Sequence, residues 1–248
     1  GCVINPKKEL RCWRLGAAPV LVDTQVVDVK VPSLIVGGSF GYTEAYYTKL
    51  NGTFWRVPLD GSPMVGVQKT IPATANGMIR NFESGFAHSC TLTAGAMHCI
   101  GAGHYGQQAN GPFVGNNVLT PSPYSITSKF ARLARTDGSN HSCAITNTGE
   151  LYCWGFNVQG ETGQGLPFDH SEWPVPHVVP GLTNVVEATV GHGGTCAITR
   201  PGGLYCWGYN VNQWITLGTD STQYIRLPRY VPLSFTPMSV HMVLGRIC

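Results

Sequence analysis

The chain has 248 residues with 16 basic and 13 acidic side chains, and its formal net charge of +3 is too weak to argue for a nucleic-acid partner. No apolar run approaches the roughly 18 residues needed to cross a bilayer, since stretches such as Ala17 to Val22 are broken by Pro19 and Asp23, so membrane insertion is not expected. The 31 glycines and 17 prolines are dispersed, which suits many short strands joined by turns, and the length is enough for one large all-β domain.

In chain order, the first element is a hairpin between Cys2 and Cys12. The pairs Cys143 and Cys153, and Cys196 and Cys206, are also ten residues apart, and Cys90 and Cys99 are nine apart. Zinc sites show short CxxC or CxxH clusters, and this sequence has none, so no metal or cofactor is expected. Four pairs at one spacing read instead as cross-hairpin disulfides, Cys2–Cys12, Cys90–Cys99, Cys143–Cys153 and Cys196–Cys206, and hence as a secreted, extracellular chain. The chain opens at Gly1-Cys2 with neither the charged n-region nor the apolar h-region of a signal peptide, and reads as a mature or trimmed chain.

Other residues recur in step with the cysteines. A glycine lies five positions before the first cysteine (Gly85, Gly138, Gly191), and a turn glycine about six after it (Gly95, Gly149, Gly202). A bulky apolar residue follows at Leu10, Met97, Leu151 or Leu204, and the second cysteine precedes Trp13, Ile100, Trp154 or Trp207. One repeat keeps the frame without cysteines: Gly41 and Gly52 place Tyr46 and Arg56 where the pair would stand. The repeats therefore start near 2, 46, 90, 143 and 196. Joined head to tail, their spacings of 44, 44, 53, 53 and 54 account for all 248 residues, with Gly245 five positions before Cys2. The expected fold is a single β-propeller domain over 1–248, of about five small antiparallel blades. One blade is split between the termini, with 238–248 closing the ring. Cys248 is left without a partner and could be free or linked to a second chain.

The strings His141-Ser-Cys-Ala-Ile-Thr-Asn-Thr-Gly-Glu-Leu-Tyr-Cys-Trp-Gly-Phe-Asn157 and Pro180-Gly-Leu-Thr-Asn-Val-Val186 resemble the repeat of the regulator-of-chromosome-condensation family, in its cysteine-bearing extracellular form. The resemblance is close over 130–215, moderate over 80–106 and faint before 60. It implies a β-propeller of four-stranded blades, usually seven. The implied roles are mostly protein binding: nucleotide exchange on a small GTPase, ultraviolet sensing in plants, β-lactamase inhibition by a secreted bacterial member. The chain departs from the family in having five repeats. It also degrades the usual Gly-Gln-Leu-Gly to Gly160-Glu-Thr-Gly163, Gly106-Gln-Gln-Ala109 and Gln213-Trp-Ile-Thr216.

Catalytic constellations are missing from the sequence, and no enzymatic activity is expected. His88 and His141 recur two residues before a repeat cysteine and read as structural turn residues. His104, His170, His177, His192 and His241 share no offset and form no metal-ligand spacing. Asn51-Gly-Thr53 and Asn140-His-Ser142 match the N-glycosylation acceptor, with Asn51, at a hairpin tip, the better candidate.

Length is the best functional clue. The last three repeats exceed the first two by nine or ten residues, and the excess falls in 101–122, 155–176 and 208–229. Insertions at one place in successive repeats project from one face, commonly the binding face. The candidate binding residues there are Tyr105, Phe156, Phe168, His170, Trp173, Tyr209, Trp214 and Tyr224, beside Phe113. Such aromatic, weakly charged loops suit a protein hot spot, as in an inhibitor or adhesion module, or the stacking face of a glycan-binding lectin. The loops diverge between repeats, with Trp214 aligned to Glu161 and Gln107, and this favours one asymmetric protein surface over repeated sugar pockets.

Overall fold

Alternating apolar runs bounded by glycine turns become strands, and the computed structural model shows where they pair. It describes the chain except residues 15, 32–43, 60–61, 70–78, 80, 87, 94–95, 112–117, 125–129, 166–171, 211–212, 219–220, 244–245 and 248. The first sheet holds β1 (Cys2–Ile4), β2 (Leu10–Cys12) and β3 (Val20–Asp23). The second holds β4 (Val26–Lys30), β5 (Glu44–Lys49), β6 (Phe54–Pro58) and β7 (Val67–Lys69). The third holds β8 (Asn81–Ser84), β9 (His88–Thr93), β10 (Ala96–Gly101) and β11 (Val118–Tyr124). In the fourth, β12 (Phe130–Leu133) and the later β14 (His141–Thr146), β15 (Leu151–Phe156) and β16 (Glu172–Val178) pair in that order. In the fifth, β17 (Val185–Gly191), β18 (Gly194–Thr199), β19 (Gly203–Tyr209) and β20 (Tyr224–Val231) do the same, with β13 (Arg135–Thr136) parallel to β17. These are the up-and-down blades of a β-propeller.

All four disulfides join residues directly opposite one another on neighbouring antiparallel strands: Cys2 and Cys12, Cys90 and Cys99, Cys143 and Cys153, Cys196 and Cys206. The cysteine-free repeat keeps the same register, with Tyr46 opposite Arg56. Polar bonds take the place of the covalent one. Glu44 accepts a hydrogen bond from the Tyr46 hydroxyl at 2.9 Å and forms an ion pair with Arg56.

Each sheet is too thin to bury a core alone, and the buried side chains lie between sheets. Leu10, Cys12, Val26, Tyr47 and Val57 join the first sheet to the second. Tyr46, Phe54, Phe82 and Ile100 join the second to the third. Leu92, Met97, Phe130 and Trp154 join the third to the fourth, and Ile145, Leu151, Val190 and Trp207 the fourth to the fifth.

The sequence expectation runs Gly245–Cys248 into the sheet of the Cys2–Cys12 hairpin, a stretch only partly among the described residues. Among the described residues that sheet contains β1, β2 and β3, while β21 (Met242–Val243) pairs with β22 (Arg246–Ile247). Residues 240–242 are anchored to the fifth sheet. Val240 and Met242 are buried, and their backbone N–H groups donate to Glu187 and Thr189 of β17, at 3.2 and 3.3 Å. Gly245 and Cys248 lie outside the described residues.

Non-reducing peptide mapping should return the four pairs above. Replacing Cys196 and Cys206 together by Ala should lower unfolding free energy by roughly 2–3 kcal/mol, the loop-closure contribution of so short a ring, as read by urea melting.

Candidate functional site

The post-Trp-Gly insertions leave one end of the sheets, and the tight turns at 147–149 and 200–202 occupy the opposite end. Part of each insertion is interior. Gln107, Gln108, Asn157, Glu161, Thr162, Asn210 and Thr216 are buried. Asn157 Oδ1 accepts from the Thr162 backbone N–H at 3.1 Å and its hydroxyl at 2.7 Å, and Asn210 Oδ1 accepts from Ile215 N–H at 3.0 Å. An asparagine four residues after the second cysteine thus folds the insertion into a turn.

That turn is laid against the outer strand of the following sheet. A Cβ on Gly106 would fall 2.5 Å from Pro174 Cα, and Gly111 N–H donates to Pro174 O at 3.1 Å. One repeat later a Cβ on Gly160 would meet Arg226 Cα at 3.0 Å, and Gly165 N–H donates to Arg226 O at 3.0 Å. Gly106 and Gly160 have φ of 74° and 88°, so both space and conformation demand glycine there.

The candidate aromatics fall into separate groups on this scaffold. Tyr105, 40% exposed, meets Phe156 edge-on at 5.0 Å between the third and fourth sheets. Trp173, on β16 opposite Gly155, lies half-buried with its ring 4.1 Å from that of His177. Tyr209 and Tyr224 face each other at the open end of the fifth sheet, stacked at 5.7 Å, with the Arg226 guanidinium 5.6 Å from the Tyr224 ring. Trp214 is turned inward: its Nε1 donates to Tyr209 O at 2.6 Å and its ring lies where a Cβ on Gly194 would be. Phe113, Phe168 and His170 lie outside the described residues. Asn51 is exposed at the turn between β5 and β6, its side chain accepting from the Thr53 hydroxyl at 2.6 Å.

Beneath the rim runs a polar seam between sheets. His88 Nε2 lies 2.6 Å from Ser142 Oγ, and His141 Nε2 lies 2.7 Å from Thr195 Oγ1. The Thr195 hydroxyl donates to Glu161 O at 2.7 Å, so His141 carries its proton on Nε2 and takes the Ser139 hydroxyl on Nδ1. Burial lowers the pKa of His88 to about 4 and that of His141 to about 3, keeping both neutral. This supports the structural reading of both histidines. Sequence spacing marked them but could not show that each reaches the hydroxyl one residue before the next sheet's first cysteine.

Three comparisons bear on this architecture. The Regulator of chromosome condensation (RCC1) repeat matches residues 138–161. The chain carries an RCC1 repeat there and shares the fold of RCC1 β-propellers. It is 27% identical over 153 residues to the ultraviolet-B receptor UVR8 of Arabidopsis thaliana, which covers 61% of this chain and 34% of the receptor. It is 31% identical over 210 residues to the mitochondrial RCC1 domain-containing protein RUG3 of the same plant, 78% of this chain and 46% of that protein. This RCC1-like chain spans about a third of the length of the first curated relatives it matches. Yeast RCC1 (Prp20) superposes on 99% of it with a TM-score of 0.78, at 15% identity and over 62% of the yeast chain. Human WBSCR16 superposes on 90% of it with a TM-score of 0.71, at 17% identity and over 59% of that chain.

Among the described residues no group of three or more His, Cys, Asp or Glu could hold a metal. Among the described residues of the rim insertions the buried acid is Glu161, in place of the family's glutamine. Burial pushes its carboxyl up to about 7, against the backbone hydrogen bonds and Arg226 that pull it down. A carboxyl raised above its unfolded value favours the protonated folded state, so its contribution to stability falls as pH rises from about 4.5 to about 7. Glu161→Gln should therefore melt like the parent near pH 4.5 and become more stable above pH 7, by about 3 kcal/mol. Thermal melts at half-unit pH steps check this.

Proposed function

We propose that the chain is a non-enzymatic, secreted recognition module that binds another protein through the insertion-bearing rim. The observation that carries the reading is the set of rim aromatics that differ from sheet to sheet. Tyr105 with Phe156, Trp173, and Tyr209 with Tyr224 and Arg226 sit at or beside strand ends on the insertion-bearing end of the sheets. Tyrosine and arginine on a rigid frame lose little entropy on binding and dominate protein hot spots. Kinship supports a protein partner as well: the yeast RCC1-type protein Prp20 is known bound to Kap60, and its binding to Gsp1p and histones is described. Four disulfides support an oxidising compartment, where those intracellular partners do not occur. An inhibitor or adhesion module fits that setting.

Tyr105→Ser with Tyr224→Ser removes two rim rings while leaving the inward-facing Trp214 in place. Affinity capture from extracellular fluid, quantified against the parent, should show enriched proteins falling roughly tenfold for the variant at an unchanged melting temperature. Equal enrichment by both would move the binding surface elsewhere. A parallel glycan array that lights up with rim-dependent signal would instead favour the lectin reading.

A further inference from the structure

The opposite end of the sheets carries a second feature. A cleft of about 340 Å³ opens between the fourth and fifth sheets, lined by Arg132, Ile145, Asn147, Thr148, Asn184 and Arg200 among others. Arg132 comes from β12 and Arg200 from the turn after β18, so each sheet supplies one guanidinium. Both are exposed, and neither forms an ion pair among the described residues. The nearest acid along the fourth sheet's hairpin, Glu150, accepts from the Thr148 hydroxyl at 3.2 Å, and Glu187 of β17 accepts from Val240 N–H. Two cations therefore share one cleft without a carboxylate of their own.

The cleft is built rather than incidental. The connection between the sheets is clamped from both sides: Val185 N–H donates to Gly149 O at 2.8 Å, and Arg200 N–H donates to Asn184 O at 2.9 Å. Gly149 allows this closeness, since a Cβ there would lie 2.9 Å from Asn184 Cα. Asn184, with φ of 54°, turns the backbone between the two tips. Arg200 also lines a neighbouring cleft of about 420 Å³ that contains Tyr205 and Tyr230, whose rings meet edge-on at 5.6 Å. The two clefts adjoin at Arg200, one carrying both arginines and the other the two tyrosines, and are taken together as one groove.

We infer that this groove binds an acidic peptide segment of a partner protein, with carboxylates on Arg132 and Arg200 and an aromatic or apolar residue on Tyr205 and Tyr230. Guanidinium forks match carboxylates bidentately, and two forks lining one cleft without an acid among its lining residues select a doubly acidic segment. This site lies at the end of the sheets away from the insertion rim and does not depend on it.

The test uses fluorescence anisotropy with a labelled dodecapeptide of alternating Glu, Asp and Tyr, against the same peptide with Gln and Asn in place of the acids. The parent should bind the acidic probe, and affinity should weaken as salt rises from about 50 to about 300 mM. Arg132→Gln with Arg200→Gln should weaken it roughly tenfold or more, and the lysine pair should recover part of the loss. Both variants replace exposed residues, and unchanged melting confirms their fold. Tyr105→Ser with Tyr224→Ser should leave this binding intact, which separates the groove from the rim. Equal binding of the amide peptide, an unaffected glutamine variant, or arginine-dependent capture of a sulfated hexasaccharide in place of the peptide would each overturn the assignment.

Discussion

The later part of the architecture depends on a bond that the fourth and fifth sheets each make to the sheet before. Trp154 Nε1 donates to Gln107 O at 3.0 Å, and Trp207 Nε1 donates to Glu161 O at 2.9 Å, both fully inside. Each acceptor carbonyl lies in the buried turn of the preceding insertion. The indole therefore fills the space between sheets with its largest apolar surface and satisfies a carbonyl that water cannot reach. Losing the Trp154 donor costs about 1–3 kcal/mol, because the Gln107 carbonyl stays buried, whereas the Glu161 carbonyl keeps the Thr195 hydroxyl. The histidine–hydroxyl bonds run beside it, so the fourth sheet is tied to both neighbours at the repeat period.

This explains why the insertions are both scaffold and surface. A loop whose only task was to bind would have no reason to bury Asn157, Thr162 and Glu161. The inner part forms the turn that presents its carbonyl to the next tryptophan. The outer residues, Tyr105 and Phe156 among them, take their positions beside it. Glu161 shows how tightly the two tasks are coupled: its backbone carbonyl accepts from Thr195 and Trp207, while its carboxyl is desolvated by the same packing.

Cysteine spacing made the hairpins legible, because a disulfide between antiparallel neighbours fixes which residues stand opposite. The glycine frame then carried the register into the repeat without cysteines, where Tyr46 does face Arg56. The replacement network through Glu44 was not legible, since it turns on side-chain reach rather than on periodicity. The insertions were legible as projecting from one face, but which of their residues fold inward was not, although the recurrent asparagines at 157 and 210 could have signalled an internal turn. The path of the C-terminal strands was hidden for another reason. Head-to-tail arithmetic finds a phase, but the partner is chosen by packing, and buried Val240 and Met242 meet β17.

Equivalent positions also take different roles according to what stands next to them. The histidine position of the third and fourth sheets is Gly194 in the fifth, where Trp214 occupies the space a side chain would need. No hydroxyl can be reached from there, so the series of histidine bonds stops at the fourth sheet. The tryptophan position shows the same dependence from the other side. Trp154 and Trp207 are wholly buried against the preceding sheet's turn, whereas Trp13, in the first sheet, is half-buried with Gly1 against its ring. A residue invariant within a repeat is thus core only where a neighbouring sheet supplies its acceptor and its wall. That condition belongs to the assembled sheets and not to the repeat, which is why the same Cys-Trp dipeptide reads alike in sequence and differs in burial.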